Sequence, residues 1–131
     1  MDKDIVIEPN PVLEAILSGN RVTSLDADRQ TGKTENIVRA VHSLPDKEFL
    51  VIVTSSKEVK LIKRRLNGVR NCKVVTCRAA ATFDNIRGIH PDIIIIDDFL
   101  EVFRVMDYDI SGLHNAINYV KRDNTQLIKV G

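Results

Sequence analysis

The stretch SLDADRQTGKTENIV, residues 24–38, decides the fold. It joins a strand-like segment, RVTSLDA (21–27), to TENIVRAVHSL (34–44), in which apolar residues recur at helical spacing. Between them, ADRQTGKT (27–34) matches the phosphate-loop pattern G-x-x-x-x-G-K-[ST] in every element but the first, where Ala27 replaces glycine. A strand, this loop and a helix in that order predict a site for nucleotide phosphates. A chance GKT in a turn before a helix is the alternative.

The chemistry of such a loop explains why alanine is acceptable at its first position. Successive backbone N–H groups wrap the phosphates, and the amino end of the following helix faces them. Gly32 lets the backbone approach closely, Lys33 places a charge between the β- and γ-phosphates, and Thr34 offers a hydroxyl to Mg²⁺. Ala27 only has to let the chain leave the strand. The residues expected to bind ATP are Asp28, Arg29, Gln30, Thr31, Gly32, Lys33 and Thr34.

A second motif, PDIIIIDDF (91–99), predicts the metal-binding partner of the loop. Its four isoleucines indicate a buried strand that delivers Asp97 and Asp98 to the carboxyl edge of the sheet, where open α/β sheets bind ligands. Asp97 is the candidate Mg²⁺ ligand, acting through water with Thr34, and Asp98 is the candidate base that orients the attacking water. The alternative is a strand that ends in a solvated acidic turn. The order of the motifs, with Asp97 64 residues after Lys33 (97 − 33), favours the site.

Alternating segments along the chain predict a three-layer α/β domain with a mainly parallel five-stranded sheet. Asn10-Pro11 and Gly19 bound the first helix, and Ser111 is expected to cap the last. The predicted strands are RVTSLDA (21–27), FLVIVTSS (49–56), KVVTC (73–77), PDIIIIDDF (91–99) and TQLIKVG (125–131). The predicted helices are PVLEAILS (11–18), TENIVRAVHSL (34–44), KEVKLIKRRLNG (57–68) and a segment from Ser111 to Val120.

Length, charge and cysteine content narrow the class of protein. A chain of 131 residues with 44% apolar residues corresponds to one globular domain. Nineteen Lys and Arg against eighteen Asp and Glu argue against coating nucleic acid by bulk charge, although a local basic patch stays open. No apolar run approaches the roughly 18 residues of a membrane span, and the acidic, proline-broken N-terminus is unlike a signal peptide. We therefore expect no membrane partner, a cytoplasmic location, and buried thiols at Cys72 and Cys77 in a reducing compartment.

Basic residues cluster in the third predicted helix. Lys57, Lys60 and Arg64 recur at i, i+3 and i+7, with Lys63 and Arg65 beside them. This face is suited to a DNA backbone, but a solvated helix face is the favoured interpretation at this point. Likewise, Arg87-Gly88 (87–88) forms either a loop near the nucleotide or DNA, or a plain turn.

The motifs resemble those of one family. ADRQTGKT, with Arg29-Gln30 before GKT, resembles the deviant Walker loop of bacteriophage terminase large subunits, the ATPases that pump DNA into capsids. FLVIVTSS followed by a helix is similar to the segment after the Walker helix in terminases and superfamily 2 helicases. IRGIHPDIIIIDDF (86–99) resembles the terminase pattern of Arg-Gly before an apolar strand that ends in two acidic residues. The likeness covers residues 10–131.

The resemblance implies a RecA-like P-loop NTPase fold, with residues 1–131 as a single ATPase domain and the last strand between the two Walker strands. It implies that Lys33 and Thr34 bind phosphate and Mg²⁺, that Asp97 completes the metal site, and that Arg29 contacts the γ-phosphate. The implied cofactors are ATP and Mg²⁺. The implied partners are double-stranded DNA and other motor or capsid proteins, and the resemblance is compatible with a homo-oligomer. The implied location is the host cytoplasm.

Two departures from the family keep a different class of function open. Asp98 stands where the family has a catalytic glutamate, and its side chain is one methylene shorter; Glu101, one helical turn later, is the candidate substitute. The chain also stops on the strand that resembles the family's coupling strand, before its switch residues and nuclease domain. The alternative is a non-hydrolysing, nucleotide-binding interaction or regulatory module. A small-molecule kinase is a weaker third option.

Overall fold

The computed structural model describes residues 9–25, 33–83 and 85–131, which form one five-stranded parallel sheet covered by helices. The strands are β1 (Val22–Leu25), β2 (Phe49–Val53), β3 (Cys72–Thr76), β4 (Ile93–Ile96) and β5 (Gln126–Val130). Their order across the sheet is β1-β5-β4-β2-β3, and every neighbouring pair is parallel. The α/β class with a five-stranded parallel sheet is confirmed, and β5 lies between the strands that lead into the two motifs, as the resemblance implies.

The helices divide between the two faces of the sheet. They are α1 (Pro11–Ser18), α2 (Lys33–Ser43), α3 (Ser56–Leu66), α4 (Cys77–Ala81), α5 (Phe99–Met106) and α6 (Ile110–Val120), with a 3-10 turn over Asp107–Asp109. Buried residues of α1, α2 and α3 pack on one face, and those of α4, α5 and α6 pack on the other. Within the described ranges, none of the helices has the length and apolarity to cross a bilayer.

The apolar runs of β2 and β4 follow from their position inside the sheet. None of their nine residues is more than 3% exposed. Ile93 and Ile95 pack on the side of α2, whereas Ile94 and Ile96 pack on the side of α5 and α6. Because helices cover both faces, neither set of alternate positions in these strands is polar.

The predicted ends of the first helix are confirmed. The Asn10 side chain accepts a hydrogen bond from the backbone N–H of Leu13 at 3.1 Å, and Pro11 is the first helical residue. Gly19 ends the helix with φ +81°, a left-handed conformation that favours glycine.

Two helices, α4 and α5, lie where the sequence predicts none. The five residues of α4 are too few to show helical periodicity, although Thr76 caps the helix by accepting from the Ala79 N–H at 3.1 Å. The predicted fourth strand extends to Phe99, but the observed strand stops at Ile96. The chain turns at Asp98, which has φ 57° and ψ 58°, and enters α5 directly.

The predicted cap at Ser111 is wrong. The 3-10 turn over Asp107–Asp109 leads straight into α6, which begins at Ile110. Ser111 therefore lies inside the first turn of the helix. The apolar residues predicted for this helix do form its buried side, since Leu113, Ala116, Ile117 and Val120 are buried.

Candidate functional site

The carboxyl ends of the parallel strands form one edge of the sheet. Backbone hydrogen bonds continue past the ends of the strands: the Gly131 N–H donates to the Leu25 carbonyl at 2.8 Å, and the Asp97 N–H donates to the Ile52 carbonyl at 2.9 Å. Because only β5 separates β1 from β4, these two strands end about 10 Å apart, which is two strand spacings. This edge is where open parallel sheets bind ligands.

The first motif leaves this edge between β1 and α2. Its loop lies outside the described residues, and so does the side chain of Lys33, the first residue of α2. Thr34 follows in the first helical turn and is half-buried. The amino end of α2 therefore carries the partial positive charge of the helix at this edge. Five of the predicted phosphate-binding residues are not among those that the structure describes: Asp28, Arg29, Gln30, Thr31 and Gly32.

Asp97 lies on the face of the sheet that α2 covers. Ile93 and Ile95 point to that face, and the ladder of backbone hydrogen bonds continues to the Asp97 N–H, so alternation assigns Asp97 to the same side. Only 4% of Asp97 is exposed, and it is the single buried carboxylate among the described residues. Its position at the carboxyl edge, on the side of α2, fits a role beside Mg²⁺ and phosphate.

Asp98 is half-buried and has a left-handed backbone. It is the residue before α5, yet its side chain makes no cap hydrogen bond; instead its carbonyl accepts from the Val102 N–H at 3.0 Å. Aspartate tolerates left-handed φ and ψ better than longer side chains do. The backbone at this position therefore gives a physical reason for aspartate where the resembled family has glutamate.

Glu101 is engaged elsewhere. The Arg104 Nε donates to Glu101 Oε1 at 2.9 Å, and a second guanidinium nitrogen contacts the other carboxylate oxygen. Hydrogen bonding to Arg104 lowers the pKa of Glu101 below its ordinary value. A carboxylate with a lowered pKa is a weaker base, so Glu101 is poorly suited to replace Asp98.

Lys129 is a residue at this edge that the sequence analysis missed. Its position pairs with Ile96 on one side and Ser24 on the other, which assigns it to the face of α5 rather than the face of Asp97. The Lys129 ammonium lies 5.0 Å from the centroid of the Phe99 ring. Both side chains line a cavity of about 230 Å³ together with Ser24, Leu25, Leu100 and Gly131. The available signal was the alternation in TQLIKVG, which predicts position 129 on the face opposite Ile128 and Val130.

The donor set at the edge fits Mg²⁺. The described residues contain no group of three or more His, Cys, Asp or Glu side chains arranged for a metal ion. A Mg²⁺ site in a phosphate-binding protein needs no such group, because one or two protein oxygens, phosphate oxygens and waters complete its shell. The Thr34 hydroxyl and the Asp97 carboxylate are oxygen ligands of this kind.

Arg87-Gly88 (87–88) lies away from this edge. The Arg87 N–H donates to the Phe83 carbonyl at 2.8 Å, and Gly88 has φ +85°. These residues precede the amino end of β4, which is at the opposite edge of the sheet. The plain turn is therefore the better interpretation of this pair.

The comparisons with known proteins assign the chain to no family. A scan against protein-family models finds no match for the chain. A search of curated proteins finds none either. The functional argument therefore depends on the residues and on the fold.

Proposed function

We propose that the chain binds ATP with Mg²⁺ at the carboxyl edge of its sheet and hydrolyses it, as the core of a motor of the phage-terminase or helicase type. The observation that carries the proposal is the strand order: β1 leads into the GKT loop, β4 ends at Asp97, and β5 alone separates them. This proposal includes double-stranded DNA and other motor or capsid proteins as partners, assembly into a homo-oligomer, and the host cytoplasm as location.

The proposed roles follow from side-chain chemistry. Lys33 places a positive charge against the β- and γ-phosphates, and the backbone of the preceding loop donates hydrogen bonds to phosphate oxygens. Thr34 and Asp97 would hold Mg²⁺, which neutralises developing negative charge on the phosphate oxygens. Arg29 would contact the γ-phosphate. Asp98 would orient the attacking water.

A nucleotide-binding module without turnover is the second candidate. Two observations favour it: Asp98 has a shorter side chain than glutamate on a left-handed backbone, and Arg104 binds Glu101. Misplacing a catalytic group by about 1 Å costs about 10²-fold in rate. Beside the site, α5 exposes 71% of Leu100 and 49% of Phe103, which suits a surface that contacts another protein.

The test is Mg²⁺-dependent release of phosphate from ATP by the purified protein, with and without duplex DNA. We expect turnover in the wild type and none in Lys33→Ala. The matched control is Lys47→Ala, an exposed lysine in the turn before β2. Binding of ATP without release of phosphate would select the module. Equal turnover in Lys33→Ala and the control would refute the assigned site.

A further inference from the structure

Positive charge is concentrated in one short segment. Residues 56–73 contain seven Lys and Arg and one acidic residue, Glu58, a net charge of +6 (7 − 1). Because the whole chain carries +1, the other 113 residues (131 − 18) carry −5 (1 − 6). We call this segment, which comprises α3, the following turn and the start of β3, the basic surface. The small net charge of the chain therefore hides a strongly polarised distribution.

The structure shows that these cations face outward. Ile62 and Leu66 anchor α3 to the core, whereas every lysine and arginine of the segment is exposed. Arg65 forms an ion pair with Glu35 of α2. Among the described residues, none of the remaining cations of the segment has an ion pair: Lys57, Lys60, Lys63, Arg64, Arg70 and Lys73. An ordinary solvated helix face intersperses both signs of charge, and this face does not.

The cations follow one another along α3 at separations of the same order as those between phosphates. Along the axis of α3, Lys57 and Lys60 are about 4.5 Å apart and Lys60 and Arg64 about 6 Å apart. A strand of duplex DNA carries a phosphate about every 3.4 Å of helix axis. Arg70 and Lys73 extend the charge from the end of α3 onto β3, at the edge of the sheet.

We propose that the basic surface binds the phosphate backbone of double-stranded DNA without reading its sequence. Single-stranded nucleic acid is ordinarily held by aromatic side chains that stack on the bases, and residues 56–73 contain no aromatic residue. Duplex binding needs only the phosphates. The inference rests on the proposed motor function for its biological sense, but none of the residues of the basic surface is assigned to the candidate nucleotide site, and its binding is measured without nucleotide.

The test is the affinity of the whole chain for a 30-bp duplex, measured by fluorescence anisotropy at several salt concentrations. The variant is Lys60→Gln with Arg64→Gln, and the control is Arg21→Gln with Lys121→Gln, which removes two charges outside the basic surface. With four phosphate contacts, raising salt from about 50 to 200 mM weakens binding about 150-fold; with two contacts the loss is about 12-fold. We expect the wild type and the control to follow the steep dependence and the variant the shallow one.

Several results would overturn the inference. They are equal salt dependence in the variant and the control, no binding of duplex at 50 mM salt, tighter binding of the matching single strand, or binding to vesicles of anionic lipid in place of DNA. Duplex binding lost in the Lys60/Arg64 variant with no ATP binding would refute the nucleotide site and leave the basic surface standing. ATP binding without duplex binding would do the reverse.

Discussion

Replacing Asp98 by glycine or alanine tests the backbone at the end of β4 and the role of the carboxylate together. Asp98 has φ 57° and ψ 58°. In this left-handed region a residue with a Cβ is strained by about 1–2 kcal/mol, whereas glycine is not. Glycine loses about 0.5–1 kcal/mol more backbone entropy on folding. We therefore expect Asp98→Gly to be more stable than Asp98→Ala by about 1 kcal/mol. Both variants lack the carboxylate, so their difference isolates the backbone.

Urea denaturation measures this difference as a free energy of unfolding, and thermal unfolding should separate the two variants by about 4 °C. An Asp98→Gly variant less stable than Asp98→Ala would refute the left-handed backbone. Phosphate release from ATP, measured on the same proteins, tests the chemistry. If Asp98 orients water, both variants lose turnover; full turnover in either one would show that another group performs this step.

Three further results are expected. Ile95→Ala should lower the free energy of unfolding by about 2–5 kcal/mol in urea, because Ile95 is fully buried; a loss below about 1 kcal/mol would contradict its placement in the core. Cys77 is buried as expected, whereas Cys72 is only half-buried. Cys72 should still react slowly with iodoacetamide at pH 8, since partial burial raises the pKa of its thiol to about 12 and leaves about one thiolate in 10⁴; mass spectrometry that finds rapid labelling would be inconsistent with this raised pKa. Glu101→Gln should lower the melting temperature more at pH 7 than at pH 3, because the Arg104 hydrogen bond lowers the pKa of Glu101 and its contribution is lost as the pH falls through that lowered pKa; a pH-independent difference would argue against the bond.

Long, patterned segments of this chain were predictable from sequence. The runs FLVIV and IIII indicate strands covered on both faces, and they occupy the interior of the sheet. Asn10 and Gly19 carry signals that act locally, through a side-chain cap and a left-handed residue, so no tertiary contact is needed to interpret them. The strand order needed the family resemblance, because periodicity alone does not determine which strands are neighbours.

Short elements and side-chain partners were not predictable in the same way. Asp98 ends β4 by a left-handed turn with no glycine to mark it, so the predicted strand continued to Phe99. The ion pair of Glu101 and Arg104 depends on their i, i+3 spacing in α5. Because α5 was not predicted, this pair was not predicted either. Lys129 reaches Phe99 only through the alignment of β5 with β4, which depends on tertiary structure.

The most direct test of the central claim is a calorimetric titration of the protein with ATP in the presence of Mg²⁺, repeated on Lys33→Ala and on the Lys47→Ala control. The proposed site predicts saturable binding of one ATP per chain by the wild type and the control, and none by Lys33→Ala. Unchanged affinity in Lys33→Ala, or no binding by the wild type, would contradict a nucleotide site at the carboxyl edge of this sheet.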